Sequence, residues 1–133
     1  MNSILKGFKK LLPDGLDTTR PLKDENAKFL VTYKDIKVGM LELKQGKWYF
    51  SYCSEFKNQT RLKPLIEFPD ISKVYESEEL WPFFAVRIPS LQQPNVQRII
   101  KKEKIDDNNI VELLHRFGER TISNPFRLEK LIK

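Results

Sequence analysis

The tightest constraint on the fold lies between Phe29 and Cys53, where three short β-prone runs follow one another with only turn residues between them. Phe29 to Tyr33 is the first, and the polar pair Lys34-Asp35 makes its tip. Ile36 to Leu43 then alternates as Ile36, Val38, Met40 and either Leu41 or Leu43, with Gly39 marking a bulge. Lys44-Gln45-Gly46-Lys47 turns the chain again, and Trp48, Phe50 and Tyr52 alternate with Tyr49, Ser51 and Cys53. Strands joined by turns this short pair antiparallel, so the spacing predicts a meander. Trp48 belongs to its core, because the alternate positions of the same strand are also aromatic.

The remainder of the chain must cover that sheet. Arg61 to Asp70 sets Pro64 and Pro69 around Leu65, Ile66 and Phe68, which predicts an edge strand or an extended loop over one face. In the stretch YESEELWPFFAVRIPS, Tyr75 to Ser90, Ser77 followed by Glu78 and Glu79 predicts a capped helix start with carboxylates at the positive end of the dipole. Pro82 interrupts it, leaving a tight first turn to about Trp81 and a regular helix from Pro82. Leu80, Phe83, Phe84 and Ile88 form its apolar arc, closed by Pro89. Gln92 to Glu103 predicts a second helix begun around Pro94, with Val96, Ile99 and Ile100 inward and a solvated basic end at Lys101-Lys102-Glu103-Lys104. Asp106 or Asp107 caps a third, with Ile110, Leu113, Leu114 and Phe117 inward and Gly118 as its stop. Thr121 to Leu128 returns as a last strand interrupted at Pro125, followed by the basic Arg127 to Lys133.

The predicted fold class is therefore α+β: a small antiparallel sheet of four to five strands packed with about three helices, plus a short N-terminal amphipathic helix. That last helix is read from Ile4, Leu5, Phe8, Leu11 and Leu12 on one side against Lys6, Lys9 and Lys10 on the other, stopped by Pro13-Asp14-Gly15. It suits docking on its own domain or on a dimer mate, or else a membrane surface or partner. The polar stretch after it is a linker. Residues 1–26 are thus one unit and 27–133 the folded domain, separable because the linker has nothing to bury.

Chemistry is limited by what the chain carries. At 133 residues it holds one domain, too small for a two-lobed kinase. The 24 Lys and Arg against 18 Asp and Glu permit an acidic partner, nucleic acid or protein. The single cysteine, Cys53, cannot form an internal disulfide and reads as an inert strand thiol of a reducing cytosol. Lysines interrupt the N-terminal apolar stretch, so no secretory signal is expected, and no run approaches the roughly 18 apolar residues that span a bilayer. The glycines stand singly, without a phosphate-binding loop; paired cysteines, HExxH spacing and a GxSxG elbow are missing. The only histidine, His115, has no partner at ligand spacing and reads as a surface or packing residue, so no metal is expected. Glu76, Glu78 and Glu79 lack a partner acid, base or metal ligand for catalysis and read as helix-start charges. A binding module without cofactor, not an enzyme, is the expectation.

Taken in order, YKDIKVGMLEL, WYFSY, KPLIEFP, SEELWPFFAVRIP, NVQRIIKK and ELLHRFGERT resemble the N-terminal subdomain of HipA-type toxin kinases, and most of all the free-standing HipS-like proteins of three-gene toxin–antitoxin systems. Val38-Gly39 matches the family's hairpin glycine, Pro64-Leu65 and Pro69 its proline-bounded segment, Phe83-Phe84 with Ile88-Pro89 its FF-to-LP helix, and Leu113-Leu114 with Gly118 the next helix and its stop. The likeness spans about residues 29 to 128. The chain departs from the pattern at Val86 and Ser90, where the family often has an asparagine and an acid-glycine end, and at Glu119-Arg120-Thr121-Ile122, where a glycine-alanine pair is usual. The resemblance implies a cytoplasmic protein that binds and neutralises a HipA-like serine/threonine kinase lacking this piece, beside a helix-turn-helix DNA-binding partner, with no membrane and no direct nucleic-acid contact. A domain this short is not expected to phosphorylate anything itself. The alternative is a basic nucleic-acid-binding or regulatory module using Lys101, Lys102, Lys104, Arg127 and Lys130.

The expected partner-binding residues are Ser77, Glu78, Glu79, Trp81 and Pro82. Trp81 lies at the edge of its arc, roughly 80–90° from the centre at about 100° per residue. An indole there is the large apolar side chain least committed to the domain's own core, and the neighbouring carboxylates suit the basic groups a kinase keeps for phosphate. The opposing reading packs Trp81 on its own sheet.

Overall fold

The three alternating runs occupy the middle of a five-stranded sheet. The computed structural model describes residues 26–121 and 124–131; the expected helix over 3–12 and the linker up to residue 25 lie outside the described residues. β1 (Ala27–Tyr33), β2 (Ile36–Lys44) and β3 (Lys47–Tyr52) pair antiparallel, with Phe29 opposite Leu41 and Leu41 opposite Phe50. Lys34 turns the first hairpin at φ 55°, and Gln45 and Gly46 turn the second at φ 48° and 81°. Positive φ at both central residues is what a type I′ turn requires, and its twist matches that of the flanking strands.

The irregularity expected at Gly39 falls one residue earlier. Val31 faces Gly39 and Thr32 faces Lys37, so Val38 is the extra residue. Gly39 serves the next strand instead: a Cβ there would lie 2.5 Å from the Ser51 carbonyl oxygen and 2.9 Å from the Phe50 ring, so the missing side chain lets β3 close onto β2.

Both edges are short. β4 (Tyr75–Ser77) adds to β3 and β5 (Phe126–Leu131) to β1, giving the antiparallel order β4-β3-β2-β1-β5. Proline decides two points that the sequence reading left open. Of the two forms expected for residues 61–70, an edge strand or an extended loop, the loop is the one adopted, because Pro64 and Pro69 remove ladder donors on either side of Leu65. The last strand lies beyond the interruption expected at Pro125 and runs on to Leu131, into the stretch read as a basic tail, with an isolated bridge between Thr121 and Asn124 before it.

One face of the sheet carries Phe29, Leu41, Leu43, Trp48 and Phe50, each fully buried. Four described helices deliver their buried residues to that same cluster. α1 (Ser54–Lys57) brings Phe56 and was not anticipated; Cys53 precedes it, half-buried, its thiol donating to the Lys37 carbonyl at 3.0 Å. α2 (Pro82–Ala85) brings Phe84 and Ala85. α3 (Pro94–Glu103) begins at the predicted proline and buries Val96 and Ile100, ending where Lys104 turns left-handed at φ 54°. α4 (Ile110–Phe117) buries Ile110, Val111, Leu113 and Leu114.

The cap of α4 is Asn109, not Asp106 or Asp107. Its Oδ1 accepts the N–H groups of Val111 and Glu112 at 3.0 and 3.1 Å. Asp106 is engaged one turn earlier, where its carboxylate accepts from Asn108 N–H, and its own N–H donates to Glu112.

A candidate partner surface around the second helix

The segment joining β4 to α2 starts from a strand, which corrects the expected helix start at Ser77. Ser77 faces Trp48 at the end of β4, and its hydroxyl accepts the Glu79 N–H at 3.0 Å, so the side chain closes a turn where a helix cap was expected. Helix geometry begins only at Pro82. The proline ring disfavours helical backbone at the preceding residue, and Trp81 accordingly sits extended at φ −65° and ψ 148° as the N-cap, with no side-chain bond. Its carbonyl accepts from both Phe84 and Ala85 at 2.9 Å. Past Ala85 the chain tightens into i→i+3 bonds, Arg87 to Phe84 and Ile88 to Ala85. The predicted arc is otherwise in place: Leu80, Phe84 and Ile88 are buried and Phe83 half-buried.

Of the five expected site residues, Pro82 and Glu78 are exposed and Ser77, Glu79 and Trp81 half-buried, strung along one surface segment. The Trp81 indole meets the Phe68 ring edge-on at 5.1 Å and lies 6.5 Å from Phe84. It is therefore a flange on the rim of the aromatic core, with part of its surface left to solvent. Glu76 is engaged with Lys47 at 3.0 Å, and that hydrogen bond holds the Lys47 ammonium above its usual pKa.

Beside Trp81, α2 turns Phe83 into an apolar groove of about 480 Å³ that sequence reasoning missed, lined also by Leu62, Pro64, Leu65, Ile66 and Phe126. Ile66 is 96% exposed on its wall. The loop that builds this wall is held from beneath. The Tyr52 hydroxyl accepts the Leu65 N–H at 2.8 Å and donates to the Phe68 carbonyl at 2.7 Å, and burial raises its pKa. Gln59 clamps the other end, accepting from Leu62 N–H and donating to Leu62 carbonyl. Tyr52→Phe strands both loop groups and is expected to cost about 1–3 kcal/mol by denaturant titration, the range for an orphaned buried donor or acceptor. Amide exchange should accelerate at Leu65 and its neighbours while the β2 amides stay protected.

Behind the groove lies Arg87, 5% exposed. Its guanidinium donates to the carbonyls of Gly118 and Phe126 at 3.0 Å and to Asn124 Oδ1 at 3.1 Å, and stands 5.6 Å from the centre of the Phe83 ring. Burial pushes it down to about 10, so it is still a cation at neutral pH, and its described acceptors are neutral.

The basic residues of the alternative reading are not brought into one stripe. Lys101, Lys102 and Lys104 are exposed where α3 ends. Arg127 is paired with Glu119, and Arg127 and Lys130, three apart on β5, project to opposite sides of the sheet. His115 is exposed on α4. Among the described residues no group of three or more His, Cys, Asp or Glu could hold a metal ion, and no helix is long and apolar enough to cross a membrane.

The family model described as HipA N-terminal domain matches residues 29–123. No curated protein matches the chain.

Proposed function

The chain belongs to the HipA N-terminal domain family, and from that premise we propose that it is an antitoxin-type binding protein, of the free-standing HipS-like kind, acting in the cytoplasm. It neutralises a HipA-like serine/threonine kinase toxin by direct association, the kinase being one that lacks this subdomain. A helix-turn-helix DNA-binding protein is the third member of the complex. The protein is not itself an enzyme and uses no cofactor.

The observation that supports this reading most is the half-buried Trp81 on the rim of the core, with exposed Pro82 and Glu78 on either side of it. An indole braced on Phe68 loses little freedom on binding, and aromatics in that condition dominate interface energies when they enter a partner's pocket. The carboxylates of Glu78 and Glu79 then meet the basic groups that a kinase uses to hold phosphate, and the cleft is occluded.

The test is to co-express the chain with a HipA-like kinase that lacks this subdomain, sought first in the adjacent reading frame. A stable complex on size exclusion and loss of kinase autophosphorylation are expected. A kinase that stays fully active and unbound at saturating protein would overturn the proposal. The nucleic-acid reading predicts instead that the protein alone binds duplex with an affinity that falls steeply between low and moderate salt; the scattered placement of Arg127 and Lys130 argues against it.

A further inference from the structure

The groove beside Trp81 carries both halves of a contact. Its protruding half is Ile66, 96% exposed, and its hollow half is the space lined by Leu62, Leu65, Phe83 and Phe126. The Phe68 N–H donates to the Leu65 carbonyl at 2.9 Å, closing a turn that sets Ile66 and Glu67 at its two central positions. Both ends of that turn are tied to the Tyr52 hydroxyl, so the isoleucine is held out in water by the core and not by a loose loop. Lys63 and Glu67 line the same groove, both exposed and neither in an ion pair among the described residues.

We propose that this patch pairs two copies of the chain about a two-fold axis, the Ile66 of each entering the groove of the other. Shape and charge select a second copy as the occupant. A two-fold contact brings one patch against itself, so a surface that holds a knob beside a hollow is complementary to its own copy. An apolar side chain from elsewhere would fill the hollow and still leave Ile66 without cover. The same axis reverses the direction of residues 63–67, which sets Lys63 of each copy against Glu67 of the other. Within one patch those two charges cancel and draw neither an acidic nor a basic partner; across the axis they make two ion pairs.

The sheet offers no competing route to self-association along its edges. On β5 the Leu128 N–H donates to the Glu119 carbonyl at 2.9 Å and the Phe126 carbonyl accepts from Arg87, so the outward groups at its start are already taken. β4 is only three residues long. The pairing uses none of Ser77, Glu78, Glu79, Trp81 or Pro82 and does not rest on the kinase reading. Each copy carries a net charge of +6, which opposes association at long range, and a contact of this size makes a weak dimer.

The experiment is sedimentation velocity of the full chain from about 10 µM to about 1 mM, which spans weak affinities, at about 0.15 M salt, where the net repulsion is screened. The sedimentation coefficient is expected to rise with concentration, and Ile66→Ser should abolish the rise. Lys63→Glu and Glu67→Lys, each alone, should weaken pairing by about tenfold, since the axis counts every substitution twice. An equimolar mixture of those two variants should pair about as well as the native chain, because opposite charges face each other again in the mixed dimer. All three positions are exposed, so the fold tolerates the changes. A chain that stays monomeric throughout overturns the proposal, and if Ile66→Ser then weakens kinase binding, the occupant of the groove is the kinase. A dimer indifferent to both charge substitutions, or a mixture that pairs no better than its two components, also overturns it, because the contact then lies on another face.

Discussion

Replacing Arg87 with alanine is expected to destabilise the fold by about 3–5 kcal/mol, because three acceptors lose their donor at about 1–3 kcal/mol for each that stays shielded from water. The guanidinium gathers the Gly118 carbonyl after α4, the Phe126 carbonyl on the outer edge of β5 and the Asn124 side chain, and so ties α2 to the connection that brings the last strand home. Truncation leaves those acceptors buried without a donor and removes the stem that packs by Phe83. Because burial holds the group only down to about 10, the cation is present throughout the neutral range and its removal is felt there. Arg87→Lys keeps the charge but not the planar fork, and is expected to recover only part of the loss. Denaturant titration reads the size of the effect, and amide exchange should place it in β5. A loss below about 1 kcal/mol for the alanine variant would show that water replaces the fork at no cost, and that Arg87 is not a clasp between α2 and β5.

Trp81→Ala is the second large effect, on binding more than on folding. The indole shares its surface between Phe68 and solvent, so its truncation is expected to cost about 1 kcal/mol of stability, the edge-to-face contact with Phe68 accounting for most of it. Kinase affinity should fall by about 2 kcal/mol or more, roughly 30-fold in Kd. Val86→Ala is the control, because Val86 is 59% exposed at the C-cap of the same short helix and should change neither quantity by more than about 0.5 kcal/mol. Calorimetry of the complex and thermal unfolding of the free protein separate the two effects. Were the free protein to lose about 3–5 kcal/mol while the folded fraction bound the kinase unchanged, Trp81 would be a core residue and the partner surface would lie elsewhere.

The Trp81 result also bears on the groove beside it. Tyr52 and Gln59 hold the 62–68 loop by its backbone, so the wall bearing Ile66 is set by the core and not by the loop's own composition. A partner that seats Trp81 has this preformed apolar groove within its reach. Preorganisation of that kind lowers the entropy lost on association.

Much of the architecture was legible because its causes are local. The meander from Ala27 to Tyr52, its I′ turn at Gln45-Gly46, the start of α3 at Pro94 and the burial of Trp48 all follow from alternation, turn chemistry and a proline, each acting within a few residues. The segment proposed as the partner surface stood out by composition, a tryptophan between two glutamates and a proline, and the half-burial of Trp81 agrees with the edge position expected for it on its arc. What went astray was local too, but degenerate. Ser77 and Asp106 both carry oxygens able to cap a helix, and both spend them on turns one step earlier, while Asn109 takes the cap of α4.

By itself, then, the sequence determined the three-stranded meander, the helices α3 and α4 and which family the chain belongs to, since periodicity and ordered motifs are properties of the chain alone. Only the tertiary structure decided that β4 and β5 are the edges, that residues 61–70 are a loop hung on Tyr52, and that Arg87 is buried. It also decided that Phe83, Ile66 and Phe126 share one groove. Those outcomes depend on groups distant in the chain satisfying one another. A hydroxyl at position 52 meets a backbone at 65 and 68, and a guanidinium at 87 meets carbonyls at 118 and 126, because each would otherwise be buried without a partner. No pattern along the chain announces such a pairing; the packing of the sheet against its helices creates the need for it.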